Sequence, residues 1–223
     1  MIIDTMSPTE IKKEIIQDNN WLLSRSNGWK KKYHKRLQLK YKDDFTILEH
    51  KKYKSPLHNN IHCFFVCKQW NNQKWNGLLL VFIWEVLTYS GRKRYFILNT
   101  TGEYTLVTSH SVERMQERSG KTFIEMFEEN IKSSTHGIMA WVNYKGGASN
   151  ELMAKFGDGF LFGYNDEFDN TIVKTYVSNS MQFQNQECLV NESIWHSEAF
   201  CEDANNVFLT RKYRRGNCVK VSA

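Results

Sequence analysis

Proline is almost missing from this chain, with two residues in 223, which argues against a linker-rich architecture. Long apolar runs are missing too. The longest, Leu78 to Val86, is broken by Glu85 and is far too short to cross a bilayer, so no membrane partner is expected. The opening MIIDTMSPTE has no basic stretch followed by an apolar one, so no signal peptide is expected and the reading is cytoplasmic. Cysteine is scarce and odd in number: Cys63, Cys67, Cys188, Cys201 and Cys218. That count in a chain of this size disfavours a disulfide framework. His58, His62, Cys63 and Cys67 lie close in sequence, but HNNIHCFFVCKQW reads as a strand. Four residues along a strand separate two thiols by roughly 13 Å, too far to share an ion. Buried thiols are the simpler reading, with no metal and no cofactor expected.

What is present is apolar and aromatic residue enough for a core: 41% hydrophobic and 14% aromatic, which excludes global disorder. The length suits one large domain or a small one with an appendage. Charge is uneven. Residues 25–54 carry eleven Lys/Arg and three Asp/Glu, a net +8 against +6 for the whole chain. A second basic group, Arg211, Lys212, Arg214 and Arg215, follows near the end. Such segments either bind polyanions by releasing counterions or form a solvated face. Lys30, Lys31, Lys32, Lys35 and Arg36, with Trp29, Tyr33 and Tyr41 interleaved, are the candidate nucleic-acid contacts.

Ser7-Pro8-Thr9-Glu10 predicts a helix start, with Ile11, Ile15, Ile16, Leu22 and Leu23 as an apolar stripe. Gly28 is expected to break it before a second, basic amphipathic helix. Ile61–Trp70, Gly77–Tyr89 and Arg94–Asn99 read as an antiparallel meander between turn signals, and Glu103–Thr108 as a further strand. Ser109 is expected to cap a helix ending at Gly120, and Thr122 to open another with Phe123, Met126, Phe127 and Ile131 inward. Gly137–Tyr144, Gly159–Tyr164 and Thr171–Ser178 read as strands, SNELMAK as a helical turn or loop, and 180–200 as weakly helical. The fold class expected is α+β: an antiparallel β-meander, then a helix pair packed on a small antiparallel sheet. Three regions follow: helical and basic 1–58, an α+β core 59–178, and a tail 179–223 packing on it.

The candidate site is SHSVERMQERSG. His110, Arg114 and Glu117 share a helix face, Arg118 borders it, and Val112, Met115 and Ser119 face the packing side. An imidazole moves protons near neutral pH, and two guanidinium groups hold a phosphate. RNA cleavage can proceed without a metal, since the substrate's own 2′-hydroxyl can be the nucleophile. Surface ion pairs among Glu113, Arg114, Glu117 and Arg118 are the plain alternative. In Thr171–Ser178, alternation sets Ile172, Lys174 and Tyr176 on one face and Thr175 on the other. Either Lys174 or Thr175 then points at a ligand, unless this is an edge strand protected by its lysine.

A strand, TSHSVERMQERSG, a second helix and a sheet ending in VKTYVS resemble the barnase/EndoU/colicin/RelE-like ribonuclease superfamily, in its phage or toxin branches. The likeness spans about 103–178. It implies metal-independent RNA cleavage with His110, Arg114, Arg118, Lys174 and Thr175 as site residues, and leaves room for an inhibitor or partner protein. The alternatives are a non-catalytic nucleic-acid-binding protein, or a structural phage or mobile-element component contacting partners through Trp70 and Trp75.

Overall fold

Ser7 and Glu10 form the expected capping box: Glu10 Oε2 accepts from the Ser7 N–H at 2.8 Å, and the Glu10 N–H donates to Ser7 Oγ at 3.3 Å. This starts α1 (Pro8–Leu37). A computed structural model describes residues 1–37, 45–70, 73–74, 79–99, 102–133, 139, 141–143 and 151–181. Gly28 does not break α1, which runs through it as one 30-residue helix. A glycine inside a helix costs about 1 kcal/mol, less than is needed to stop a long one. The buried face is Ile11, Ile15, Asp18 and Leu22, while Ile16 and Leu23 are exposed. Asp18 is tolerated there because its Oδ2 accepts from Asn59 Nδ2 at 2.7 Å and from Trp84 Nε1 at 3.2 Å.

The strands are β1 (Phe45–Lys54), β2 (Asn60–Trp70), β3 (Gln73–Lys74), β4 (Leu79–Leu87), β5 (Lys93–Leu98), β6 (Tyr104–Val107), β7 (Val142–Asn143), β8 (Glu151–Phe156), β9 (Gly159–Asn165) and β10 (Thr171–Ser178). Between β6 and β7 come α2 (Ser109–Ser119) and α3 (Phe123–Ser133). The α+β class stands, but the described strands make one mixed sheet rather than a meander beside a small antiparallel sheet. Its order is β1-β2-β4-β5-β6-β10-β9-β8-β7, with β3 on β2. The join is the parallel pair of β6 and β10, Thr105–Val107 against Thr171–Val173. Two expectations fail locally. Residues 45–54, inside the segment read as helical, form β1, and the ELMAK run that read as a turn or loop lies within β8. The predicted strand at Gly137–Tyr144 is represented by β7, and the tail beyond 181 lies outside the described residues.

Strand alternation divides the core. Ile61, Cys63 and Phe65, with Phe82, Trp84 and Phe96, face α1. Phe64, Val66, Val81, Ile83, Tyr95 and Val107 face α2 and α3, meeting Met115, Phe123, Met126, Phe127 and Ile131. Phe64 lies 5.1 Å from Phe127 and Phe123 lies 5.6 Å from Phe156, centroid to centroid. Each fully buried phenylalanine contributes roughly 1.5–3 kcal/mol. Thr122 caps α3 through Glu125, as Thr108 rather than Ser109 caps α2. Gly120 ends α2 at φ 70°, a left-handed conformation open to glycine.

Candidate functional site

The helix α2 lies where β6 stops. Strand β6 pairs with β10 only as far as Val173, so the next carbonyls on that edge of β10 need other donors. The helix supplies them. Thr108 Oγ1 and Ser111 Oγ both donate to the Val173 carbonyl, at 2.9 and 2.8 Å, and Arg118 Nη1 donates to the Tyr176 carbonyl. Arg118 is therefore a structural donor in this state. Arg114 holds Glu117 Oε2 at 3.0 Å, with the two side chains 42% and 60% exposed, an ion pair worth well under about 1 kcal/mol and easily exchanged. His110 is exposed in the first turn and has no side-chain partner among the described residues. Of the expected phosphate clamp, Arg114 is available and Arg118 is occupied.

Lys174 and Thr175 do not join this group. The register of β10 on β9 shifts between Val173 and Thr175, so Val173 pairs with Gly163 and Thr175 with Phe162. That bulge puts Val173 and Tyr176 together in the core facing α2 and breaks the alternation expected for Lys174 and Tyr176. Lys174 Nζ lies 4.5 Å from the ring centroid of Tyr164, and Thr175 sits across from Phe162. Both belong to the sheet face away from α2.

Lys30, Lys31, Lys32, Lys35 and Arg36 lie in the last turns of α1, and their side chains are outside the described residues, as are Lys40, Lys42, Trp75 and the basic group near the end. The same basic segment continues into β1, where the structure is explicit. His50, Lys52 and Lys54 alternate onto the face shared with Phe64. Lys52 and Lys54 are exposed, have no carboxylate partner among the described residues, and line an open cleft of about 370 Å³ with Asn60, His62 and Glu85.

Beside this cleft is a polar cluster that sequence reasoning did not find. His50 Nδ1 donates to Glu128 Oε1 of α3 at 2.8 Å, and His50 Nε2 meets His62 Nδ1 at 2.9 Å. His62 Nε2 meets Glu85 Oε2 at 3.3 Å, and that oxygen also accepts from Lys93 Nζ at 3.2 Å and Tyr95 Oη at 3.3 Å. His62 is 2% exposed. The bond from His62 holds the Glu85 carboxyl down to about 2, against an opposing burial effect and with further help from Lys93. Burial, then the charge of His62, lowers the His50 value despite Glu128. Burial, then Glu85, raises that of Tyr95. All four ring nitrogens of the pair are engaged, so neither imidazole is presented to a substrate. His62 and Cys63 face opposite sides of the sheet, and burial pushes the Cys63 thiol up to about 12. The signal in the sequence was Glu85 itself, a carboxylate inside an apolar strand that had to find partners.

No group of His, Cys, Asp and Glu among the described residues is arranged to hold a metal. No helix among them is long and apolar enough to cross a membrane. Comparison with protein-family models, with curated proteins and with solved structures gives no match.

Proposed function

We propose that this protein binds nucleic acid, with RNA the favoured ligand, through contacts to the phosphate backbone. The observation that carries the reading is the pair Lys52 and Lys54: exposed, free of carboxylate partners among the described residues, and set side by side along the cleft by the two-residue period of β1. The carboxylate lining the cleft, Glu85, is paired with Lys93 at 3.2 Å, so Lys52 and Lys54 leave the cleft with net positive charge. These two lysines close the 25–54 segment, whose net charge is +8. Lysine ammonium groups with no partner of their own are the ones that exchange counterions for phosphate at least cost. The preference for RNA rests on the sequence resemblance of 103–178 to the ribonuclease superfamily.

A second reading, metal-independent cleavage, is favoured by the open His110 with Arg114 one turn along. There His110 transfers the proton and Arg114, released from Glu117, neutralises the phosphate. Lys174 and Thr175 have no part in it, and Arg118 serves the fold. Labelled RNA incubated in chelator with wild type and His110→Ala separates the two. Retention without cleavage supports the binding protein. Cleavage lost in the variant supports the nuclease. Neither retention nor cleavage removes both and leaves the structural component.

A further inference from the structure

The cluster on β1, β2, β4, β5 and α3 has three contacts in series: Glu128 to His50, His50 to His62, and His62 to Glu85. Each joins two atoms that accept hydrogen bonds when unprotonated, so each needs one proton. Two neutral imidazoles carry two protons. With only two, one contact in the series sets lone pair against lone pair, at 2.9 Å in the middle or against a carboxylate at either end. With four, two N–H groups collide between the rings. Three protons fill all three contacts and give the pair a single positive charge. With Glu85 and Glu128 negative and Lys93 positive, the group is then neutral as a whole.

We propose that His50 and His62 share one proton and act as an acid-released clasp, holding α3 to the sheet while the pair carries a single charge and freeing it when a second proton is taken up. The groups facing the pair are Glu128 from α3, Lys52 from β1, Glu85 from β4, and Lys93 and Tyr95 from β5. Glu85 and Glu128 stabilise the first charge. Lys52 and the first charge itself oppose a second. His62 is walled in at 2% exposure, so His50, half-buried, is the ring that can turn out to accept the proton. Turning it out breaks the tie to Glu128 and the stacking of His50 on Phe64, whose centroids are 4.4 Å apart. Phe64 packs on Phe127 of α3, so the helix loses its polar tie to β1 and its apolar contact with Phe64 loses the ring stacked behind it.

Imidazole nitrogen NMR of the wild-type chain tests this. At neutral pH the expected spectrum shows protonated His50 Nδ1 and His62 Nε2, with an intermediate signal from the two nitrogens that share the third proton. Below about pH 6.5, the ordinary imidazole value, opening that takes up one proton becomes about tenfold more frequent per pH unit. Amide protection factors over Phe123–Ser133 then fall by that factor while those over Ser109–Ser119 hold. In His50→Gln the acid-dependent fall in α3 disappears. Two neutral imidazoles at neutral pH, or α3 and α2 losing protection together on acidification, overturn the clasp. The wild-type spectra decide the question even where the variant fails to fold.

Discussion

Replacing Arg118 by alanine strips the guanidinium donor from the Tyr176 carbonyl, on an edge of β10 that β6 pairs only as far as Val173 and that no other described strand covers. The carbonyl belongs to a residue whose side chain is fully buried and whose hydroxyl donates to Asp158, so water replaces the lost donor poorly. Hydrogen bonds to charged groups contribute about 1.5–3 kcal/mol net, and a half-buried site takes the lower part of that range, about 2 kcal/mol. For a chain of this size each kcal/mol shifts Tm by roughly 2–4 °C, so the expected loss is about 4–8 °C. Arg118→Lys recovers part of it, since one ammonium donor replaces the fork. Thermal and urea unfolding measure the change, and RNA retention by the folded variant should stay near wild type. A variant as stable as wild type that loses RNA affinity would refute the reasoning, because Arg118 would then be a ligand contact and not an edge cap.

Gly159→Ala should cost about 1–3 kcal/mol by overpacking, because a Cβ there runs into the Val177 carbonyl and sits 2.7 Å from the Tyr176 hydroxyl; urea unfolding reads it. Glu85 favours its charged form in the folded state, with its carboxyl at about 2 against an ordinary 4.5. Its stabilisation is therefore complete above about pH 4.5 and is lost as pH falls toward 2. Glu85→Gln should flatten the acid limb of a stability–pH curve, and an unchanged limb would count against the cluster as described.

Helix ends were legible in the sequence because their chemistry is local. Ser7 with Glu10, the helix start at Thr122 and the stop at Gly120 each act within a turn and appear where expected, whereas the cap expected at Ser109 falls to Thr108 and α1 runs through Gly28. The strands between Asn60 and Leu98 were marked by aromatic and β-branched runs with turn residues between them. Strand β8 was not legible, since Glu, Leu, Met, Ala and Lys favour helix; pairing with β9 over Glu151–Phe156 overrides that preference. β1 was hidden by its polarity, as His50, Lys52 and Lys54 left the period of two looking like a charge run. The site was legible only where one helix carries it. His110 and Arg114 follow from spacing, but the bulge that turns Lys174 away, and the meeting of His50, His62, Glu85 and Glu128 from four elements, depend on register, which no local pattern encodes.

Salt dependence of RNA retention tests the central claim most directly. Wild-type affinity for a single-stranded RNA should fall linearly on a log–log plot against salt concentration. The double variant Lys52→Gln, Lys54→Gln should be weaker at low salt, with a slope shallower by about 1.4, two phosphate contacts at roughly 0.7 each. Wild type that fails to retain RNA at low salt, or a double variant with the wild-type slope, would contradict the proposal that this cleft binds the phosphate backbone.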